Sequence, residues 1–450
     1  DEIIMLPTGT VFMPGLRAEM MYFRQLADKF HVEPQVIKIE EYKSAFESYT
    51  EDHMSEPARE QMEALLDVLW SEYLGTISAS RAVSRDEVQG WVDGALHSGR
   101  SAMELGIVDQ VAYSDEVADL IKEVIVGDKK SKVVSASKYF AMEGVDPVWE
   151  DMTSPKIAVI IAEGPIYSGT SGRSGWGGDP YMGSETVAGM IRRARKDRRV
   201  KAIVLRVDSP GGSSEASDVI AREVKLTVDP EDEDAEAKPF IVSMSGVAAS
   251  GGYYIACLAD TIVAPRTTIT GSIGVIAATF GYEEALDSLG ITFDRVMRGE
   301  NADIFAANGW DEEQRGIIRK EIEIVYDEFT ALVSEGRGMT QDEVNEIGRG
   351  HIWAGEDAID NGLVDLEGGL YESIRVAKTT IGMDEDDDVD LKIYMAHNMW
   401  MPQNEMYGLA GLIVPEYIQT ILEKEEDLSR MSEDTIQMRA PVEVESVVLD

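Results

Sequence analysis

With 84 acidic against 41 basic residues in a chain of 450, the net charge is −43 at pH 7, which argues against nucleic acid and anionic lipid headgroups as electrostatic partners. No apolar run approaches the ~18 residues of a membrane-spanning helix, and a single cysteine, Cys257, excludes an internal disulfide and reads as a core residue. The acidity leaves two readings open. One is a protein of a salty environment, whose repulsions are screened; the other is an ordinary acidic protein with solvated loops.

The chain opens on "DEIIMLPTGT", which has neither the basic start nor the apolar core of a secretory signal. Residues 1–15 resemble residues 260–274 ("DEIIMLPTGTVFMPG", "DTIVAPRTTITGSIG") at an offset of 259. Three further matches share an offset of 256: "LWSEYLGTIS" with "VYDEFTALVS", "SRDEV" with "TQDEV", and "AMELGIVD" with "AIDNGLVD". Four matches in one order point to a tandem duplication. The second copy starts near Pro155, about a hundred residues ahead of Asp260, whereas the first starts at the equivalent of Asp260. A first copy without its front portion, and without any targeting segment carried there, is therefore expected. The division is a partial first repeat over 1–125, a linker over 126–154, a second repeat over 155–383 and an acidic tail over 384–450.

In the second copy, "KIAVIIAEGPI" (156–166) predicts a buried strand ending at Gly-Pro. The glycine-rich stretch 168–184 predicts a mobile loop. A helix follows from Glu185, with Val187, Met190, Ile191 and Ala194 on one face. "VKAIVLRVDS" (200–209) is a second buried strand, broken by "PGGSS" before a helix over 215–224. Residues 239–245 predict a third strand, followed by a turn and a helix beginning near Ser250; "DTIVAP" is a fourth strand. Alternating strands and helices imply an α/β fold with a mostly parallel sheet. The acidic stretch 229–238 reads as a solvated loop, and residues 416–425 as a short amphipathic helix in the tail.

Two strand ends combine glycines with a serine. "SPGG" (209–212) lets backbone N–H groups approach a ligand, and "AASGGYY" (248–254) sets a serine at a strand-to-helix turn. Together they contain what acyl transfer requires: a hydroxyl nucleophile, Ser250, and two oxyanion donors, Gly212 and Gly251. From spacing alone, glycine turns without chemistry are the favoured reading of both. None of the five histidines (His31, His53, His97, His351, His397) lies at a recognisable strand end, so a Ser–His–Asp triad is poorly supported. The other available base is a lysine, neutral when buried; composition does not choose which.

The segments "VKAIVLRVDSPGGS", "PFIVSMSGVAASGGYYIA" and "TITGSIGV" strongly resemble the signal peptide peptidase A family in its long form, over roughly residues 1–378. The resemblance implies two fused crotonase-like halves, the fold also of Clp proteases. It implies Ser250 as nucleophile and, through "YKSA", Lys43 as general base. Opposite Lys43 the second copy has Ala302 or Gly299, depending on the offset, so one amine is retained. Ser272 in "TGSIG" would hold that amine, although a turn hydroxyl bonding its own backbone is an equal reading. The family degrades released signal peptides and other extended apolar peptides with no metal or organic cofactor. It assembles as tetramers and associates with the bacterial inner membrane, its active domain outside the cytoplasm. A crotonase-type acyl-CoA hydratase or thioesterase, and a non-catalytic membrane scaffold, are the rival functions.

Overall fold

The computed structural model describes residues 2–113, 155–173, 178–231 and 235–396 without 386 and 388, the single positions 116, 117, 120 and 122, and the backbone of 437–439. The expected linker and the helix expected over 416–425 lie outside the described residues. The chain packs as two units, one of residues 1–18 and 69–153, the other of residues 19–68 and 154–450.

In the smaller unit β1 (Ile4–Met5) pairs in parallel with β5 (Gln110–Val111), and β2 (Thr10–Phe12) pairs antiparallel with β4 (Leu96–Ser98). Val88, Trp91 and Val92, at helical spacing on the helix Arg85–Gly94, are buried with Met13, Leu74 and Val108. Ser84 caps this helix by accepting from the Glu87 N–H. In the other unit Thr340 caps the helix Gln341–Ile347 from Glu343 in the same way. This is the physical content of the "SRDEV" and "TQDEV" match.

The duplication extends to single hydrogen bonds. The helices Glu56–Arg81 and Glu312–Arg337 both have 26 residues. Ser78 Oγ donates to the Val83 carbonyl at 2.5 Å, and Ser334 Oγ to the Met339 carbonyl at 2.6 Å. Arg81 pairs with Asp109, and Arg337 with Asp365. Each of these pairs is separated by the offset of 256 seen in the sequence.

The larger unit is built on a sheet of β6 (Lys156–Glu163), β10 (Val200–Ser209), β12 (Phe240–Ala249), β13 (Thr261–Ala264), β14 (Ile269–Gly271), β16 (Ile352–Ala354), β17 (Leu366–Glu367) and β18 (Asp390–Tyr394). Its main path runs β16-β14-β12-β10-β6-β18, and only β14 with β16 is antiparallel. Ile157, Val159, Ala202, Val204 and Ile241 face one core, with the helix Leu370–Thr380 against them. Ala158, Ile160, Ile203, Leu205 and Val242 alternate with them into a second, larger core. Burial on both faces is why these strands read as unbroken apolar runs. The helix from Ser184 buries Val187, Met190, Ile191 and Ala194 against that larger core, as its spacing predicts.

A second sheet has the order β3 (Glu33–Lys38), β15 (Ile276–Gly281), β19 (Gln437–Arg439), β11 (Gly211–Ser213), β7 (Ile166–Tyr167), β9 (Pro180–Gly183), β8 (Gly172–Arg173). β3 therefore belongs to the larger unit, although its sequence lies in the first repeat. It pairs antiparallel with all six residues of β15, and its Ile37 is 2% exposed.

Three expectations need correction. The glycine-rich stretch 168–184 is not simply a loop, since β8 and β9 pair within it; its glycines hid a hairpin that has little apolar pattern. The third strand runs on to Ala249, and the helix after Ser250 is a single turn, Gly251–Tyr254. Residues 390–394, expected in the acidic tail, form β18 beside β6, where pairing with a buried neighbour outweighs weak local signals.

Candidate active site

β12 delivers Ser250 to the start of the single-turn helix, where its backbone turns sharply, with φ 56° and ψ −119°. Positive φ at a residue other than glycine is strained. The strain is held from both sides: the Ser250 N–H donates to the Gly271 carbonyl of β14 at 2.8 Å, and the Ser250 carbonyl accepts from the Tyr253 and Tyr254 N–H groups at 2.9 Å each. A strained strand–turn–helix serine is thus built without the G-x-S-x-G pattern. Gly251 is required by space, since a Cβ there would stand 2.7 Å from Ser217 Oγ and 3.2 Å from the Gly212 nitrogen. The same numbers place the Gly212 and Gly251 backbones side by side, next to the serine.

Lys43 follows β3 by five residues, and its side chain is fully buried. Its Nζ lies 2.8 Å from Ser250 Oγ, 3.0 Å from Ser272 Oγ and 3.1 Å from the Ser272 carbonyl oxygen. A neutral amine has two N–H donors and one lone pair. It can donate both protons to Ser272 while accepting the Ser250 hydroxyl proton. Burial holds the Lys43 pKa well below the ordinary lysine range, because the charged form loses its water. Among the described residues no carboxylate is hydrogen-bonded to Lys43 or Ser250, so neither an acid nor a counter-ion stands in the amine's place.

The lysine loop is strapped in place by Gln61, a buried side chain that sequence reasoning passed over. Its Nε2 donates to Ser44 Oγ at 3.0 Å and to the Tyr42 carbonyl at 3.2 Å, while its Oε1 accepts from the Ile352 N–H of β16 at 3.2 Å. Gly350 closes the other side, where a Cβ would stand 2.7 Å from the Lys43 Cβ. Only the helical spacing of Gln61 inside an otherwise apolar or charged face could have flagged it. His351 stacks on Trp353 at 4.0 Å and lies against Tyr42 at 4.5 Å, and its Nδ1 bonds the Ile352 carbonyl. Among the described residues no histidine is hydrogen-bonded to Ser250. The structure therefore brings together Lys43, Ser250, Ser272, Gly212 and Gly251, from segments spread over more than two hundred residues. Among the described residues no group of three or more His, Cys, Asp or Glu could hold a metal ion.

The model of peptidase family S49 matches residues 1–125 and 232–384 of this sequence, and "Protease 4" of Salmonella typhi is 34% identical over 94% of this chain and 67% of its own. The chain belongs to peptidase family S49. "Serine protease SPPA, chloroplastic" of Arabidopsis thaliana is 33% identical, over 84% of this S49 chain and 55% of its own length. "Protease 4" of Haemophilus influenzae is 33% identical over 86% and 63%. The chain thus spans between 55% and 67% of the length of these three relatives. Among solved structures, a ClpP1 point mutant from Listeria monocytogenes gives a TM-score of 0.30 at 16% identity, covering 48% of this chain and 94% of that one. Membership of S49, a peptidase family with a named serine protease among this chain's relatives, gives the reaction class as serine-type peptide hydrolysis.

Proposed function

We propose that this S49 chain is a serine endopeptidase with a Ser–Lys dyad, acting on extended apolar peptides, released signal peptides among them. The supporting observation is the 2.8 Å separation of the Lys43 amine and the Ser250 hydroxyl in full burial. The neutral amine takes the hydroxyl proton as Ser250 Oγ attacks the scissile carbonyl carbon. The tetrahedral oxyanion is met by the Gly212 and Gly251 N–H groups; Gly251 opens a helix, where N–H groups have no intrahelical partner. Collapse of the intermediate breaks the C–N bond, and the Lys43 ammonium returns its proton to the departing amine. Water, deprotonated by the same amine, then hydrolyses the serine ester, and Ser250 is restored. Ser272 orients the amine so that its lone pair faces Ser250. Tetrameric assembly and attachment to a membrane belong to the same proposal, and rest on the family resemblance. Among the described residues no helix is long and apolar enough to cross a membrane.

The test uses an internally quenched apolar peptide and a fluorophosphonate probe. Wild type cleaves the peptide and is labelled at Ser250; Ser250→Ala does neither. Lys43→Ala lowers kcat by about 10²–10⁴, the usual loss with a general base. Near-normal turnover by Lys43→Ala defeats the assignment of the base. Cleavage by Ser250→Ala defeats the assignment of the nucleophile.

A further inference from the structure

The strand that leads to Lys43 belongs to a piece of structure that occurs twice. The helices Arg24–Lys29 and Glu283–Ser288 have six residues each. The Phe23 N–H donates to the Ser48 carbonyl at 2.6 Å, and the Tyr282 N–H to the Ala307 carbonyl at 2.8 Å. The Val32 N–H donates to the Ala27 carbonyl, and the Ile291 N–H to the Leu286 carbonyl. Positive φ recurs at Glu40 and Gly299, 68° and 94°. All four matches keep the offset of 259, so residues 23–48 correspond to 282–307 and Ala302 stands opposite Lys43.

The two pieces differ in what their strands touch. The strand of the first, β3, is paired along all six residues with β15, which directly precedes the second piece. The equivalent of β3 in the second piece is 292–297 ("TFDRVM"), and the equivalent of β15 in the first repeat is 17–22 ("RAEMMY"). Among the described residues neither stretch belongs to a strand ladder. Burial follows the pairing: Ile37 is 2% exposed and its counterpart Val296 is 88% exposed. Phe293 and Met21 are exposed as well. One strand therefore sits on its receiving edge, while a second strand and a second edge stand outside any ladder.

In the register of β3 on β15, Phe293 falls opposite Met21, Val296 opposite Ala18 and Arg295 opposite Glu19. Two apolar pairs and one pair of opposite charge suit cross-strand neighbours. Arg295 is already held in place by Glu283, at 2.7 and 3.0 Å. We propose that residues 292–297 of one copy of this chain add as a strand to residues 17–22 of a second copy, repeating between chains the pairing of β3 with β15. The inference rests on the repeat and its register, and not on the Ser–Lys reading. The contact joins different surfaces of the two copies, so it links them head to tail. With Ala302 in the place of Lys43, the seam between copies repeats the strand pairing without the amine.

The test follows the mass of the full chain by light scattering in molar potassium chloride, which screens the repulsion between copies of charge −43. The Ile39 N–H donates to the Val275 carbonyl, so by antiparallel alternation the Ile37 N–H, and that of Val296 in the proposed ladder, points at the receiving edge. Val296→Pro removes this donor from an exposed position. Wild type is expected to run as an assembly of several copies. The variant, melting as wild type does, should need at least about tenfold higher concentration to assemble. A second measurement mixes Met21→Cys chains with Phe293→Cys chains under oxidation, the native Cys257 being buried. These positions form a non-hydrogen-bonded pair, close enough for a disulfide. A covalent pair containing one chain of each kind is expected, with neither variant cross-linking to itself. Wild type with the mass of a single chain overturns the proposal, as does an assembly that Val296→Pro leaves intact. Self-linked variants, or a mixture that does not cross-link, overturn it as well, and that readout stands should Val296→Pro fail to fold.

Discussion

The amine of Lys43 and the hydroxyl of Ser250 stand 2.8 Å apart across 207 residues of sequence, inside one packing unit. The approach depends on β3, which leaves the first repeat and adds to β15 of the second; the loop beyond it then drops the lysine beneath the strained serine. A base and a nucleophile supplied from distant segments can be separated by mutation, and the consequences differ for activity and for stability.

Lys43→Met exchanges a buried amine for an apolar chain of similar length. Turnover is expected to fall by about 10²–10⁴, while the melting temperature stays level or rises, since an apolar side chain suits this burial better than an amine. The difference should also depend on pH. The unfolded chain titrates this lysine near ~10.4, and the folded chain well below it. Between those values the unfolded state binds the extra proton, so wild-type stability climbs with pH by about 1.4 kcal/mol per unit, and the penalty is complete below the folded value. Urea midpoints measured from pH 7 to pH 10 should therefore show wild type gaining on Lys43→Met. Parallel curves would mean that Lys43 is charged in the fold. Activity runs in the same direction, rising with pH through the lowered lysine pKa.

Gln61 touches neither the serine nor the amine, yet it ties the lysine loop to β16 through three hydrogen bonds. Gln61→Ala leaves the Ile352 N–H and the Tyr42 carbonyl without this partner. A loss of about 1–3 kcal/mol is expected, from the unsatisfied buried groups. If Gln61 positions the base, kcat falls by about tenfold with KM nearly unchanged, since a shift of an ångström at the base is enough for such losses. A drop in stability with kcat intact would reduce Gln61 to a purely structural role.

Gly251→Ala would press a methyl group against Ser217 Oγ and the Gly212 nitrogen. The two backbones proposed to receive the oxyanion must then separate, and kcat is expected to fall by about 10²–10³, the usual loss of one oxyanion donor. Fluorophosphonate labelling should slow in step, because that reagent also passes through an oxyanion. Unchanged labelling would move the oxyanion site elsewhere.

The net charge of −43 carries its own expectation. Salt shortens the reach of carboxylate repulsion to about 3 Å at 1 M, so thermal stability should increase from low to molar potassium chloride. A melting temperature that is flat or falls over that range would show that the acidic groups are already neutralised within the fold.

The apolar runs of β6, β10 and β12 and the one-sided spacing of the helix from Ser184 were legible because two-sided and one-sided burial leave different periods in a sequence. The duplication was legible too, and its matched segments turn out to carry the same caps and the same serine-to-carbonyl bonds. Ser250 could be placed at a strand end, and Lys43 entered through resemblance alone, because nothing local distinguishes a buried lysine from a solvated one. The strands β8, β18 and β19 were missed, since short strands take their stability from a neighbour's backbone and leave almost no pattern of their own. Local sequence could determine which stretches bury which faces. Only the tertiary structure decided that an amine loses its water beside a strained serine, for desolvation is a property of everything packed around a group and of no single segment.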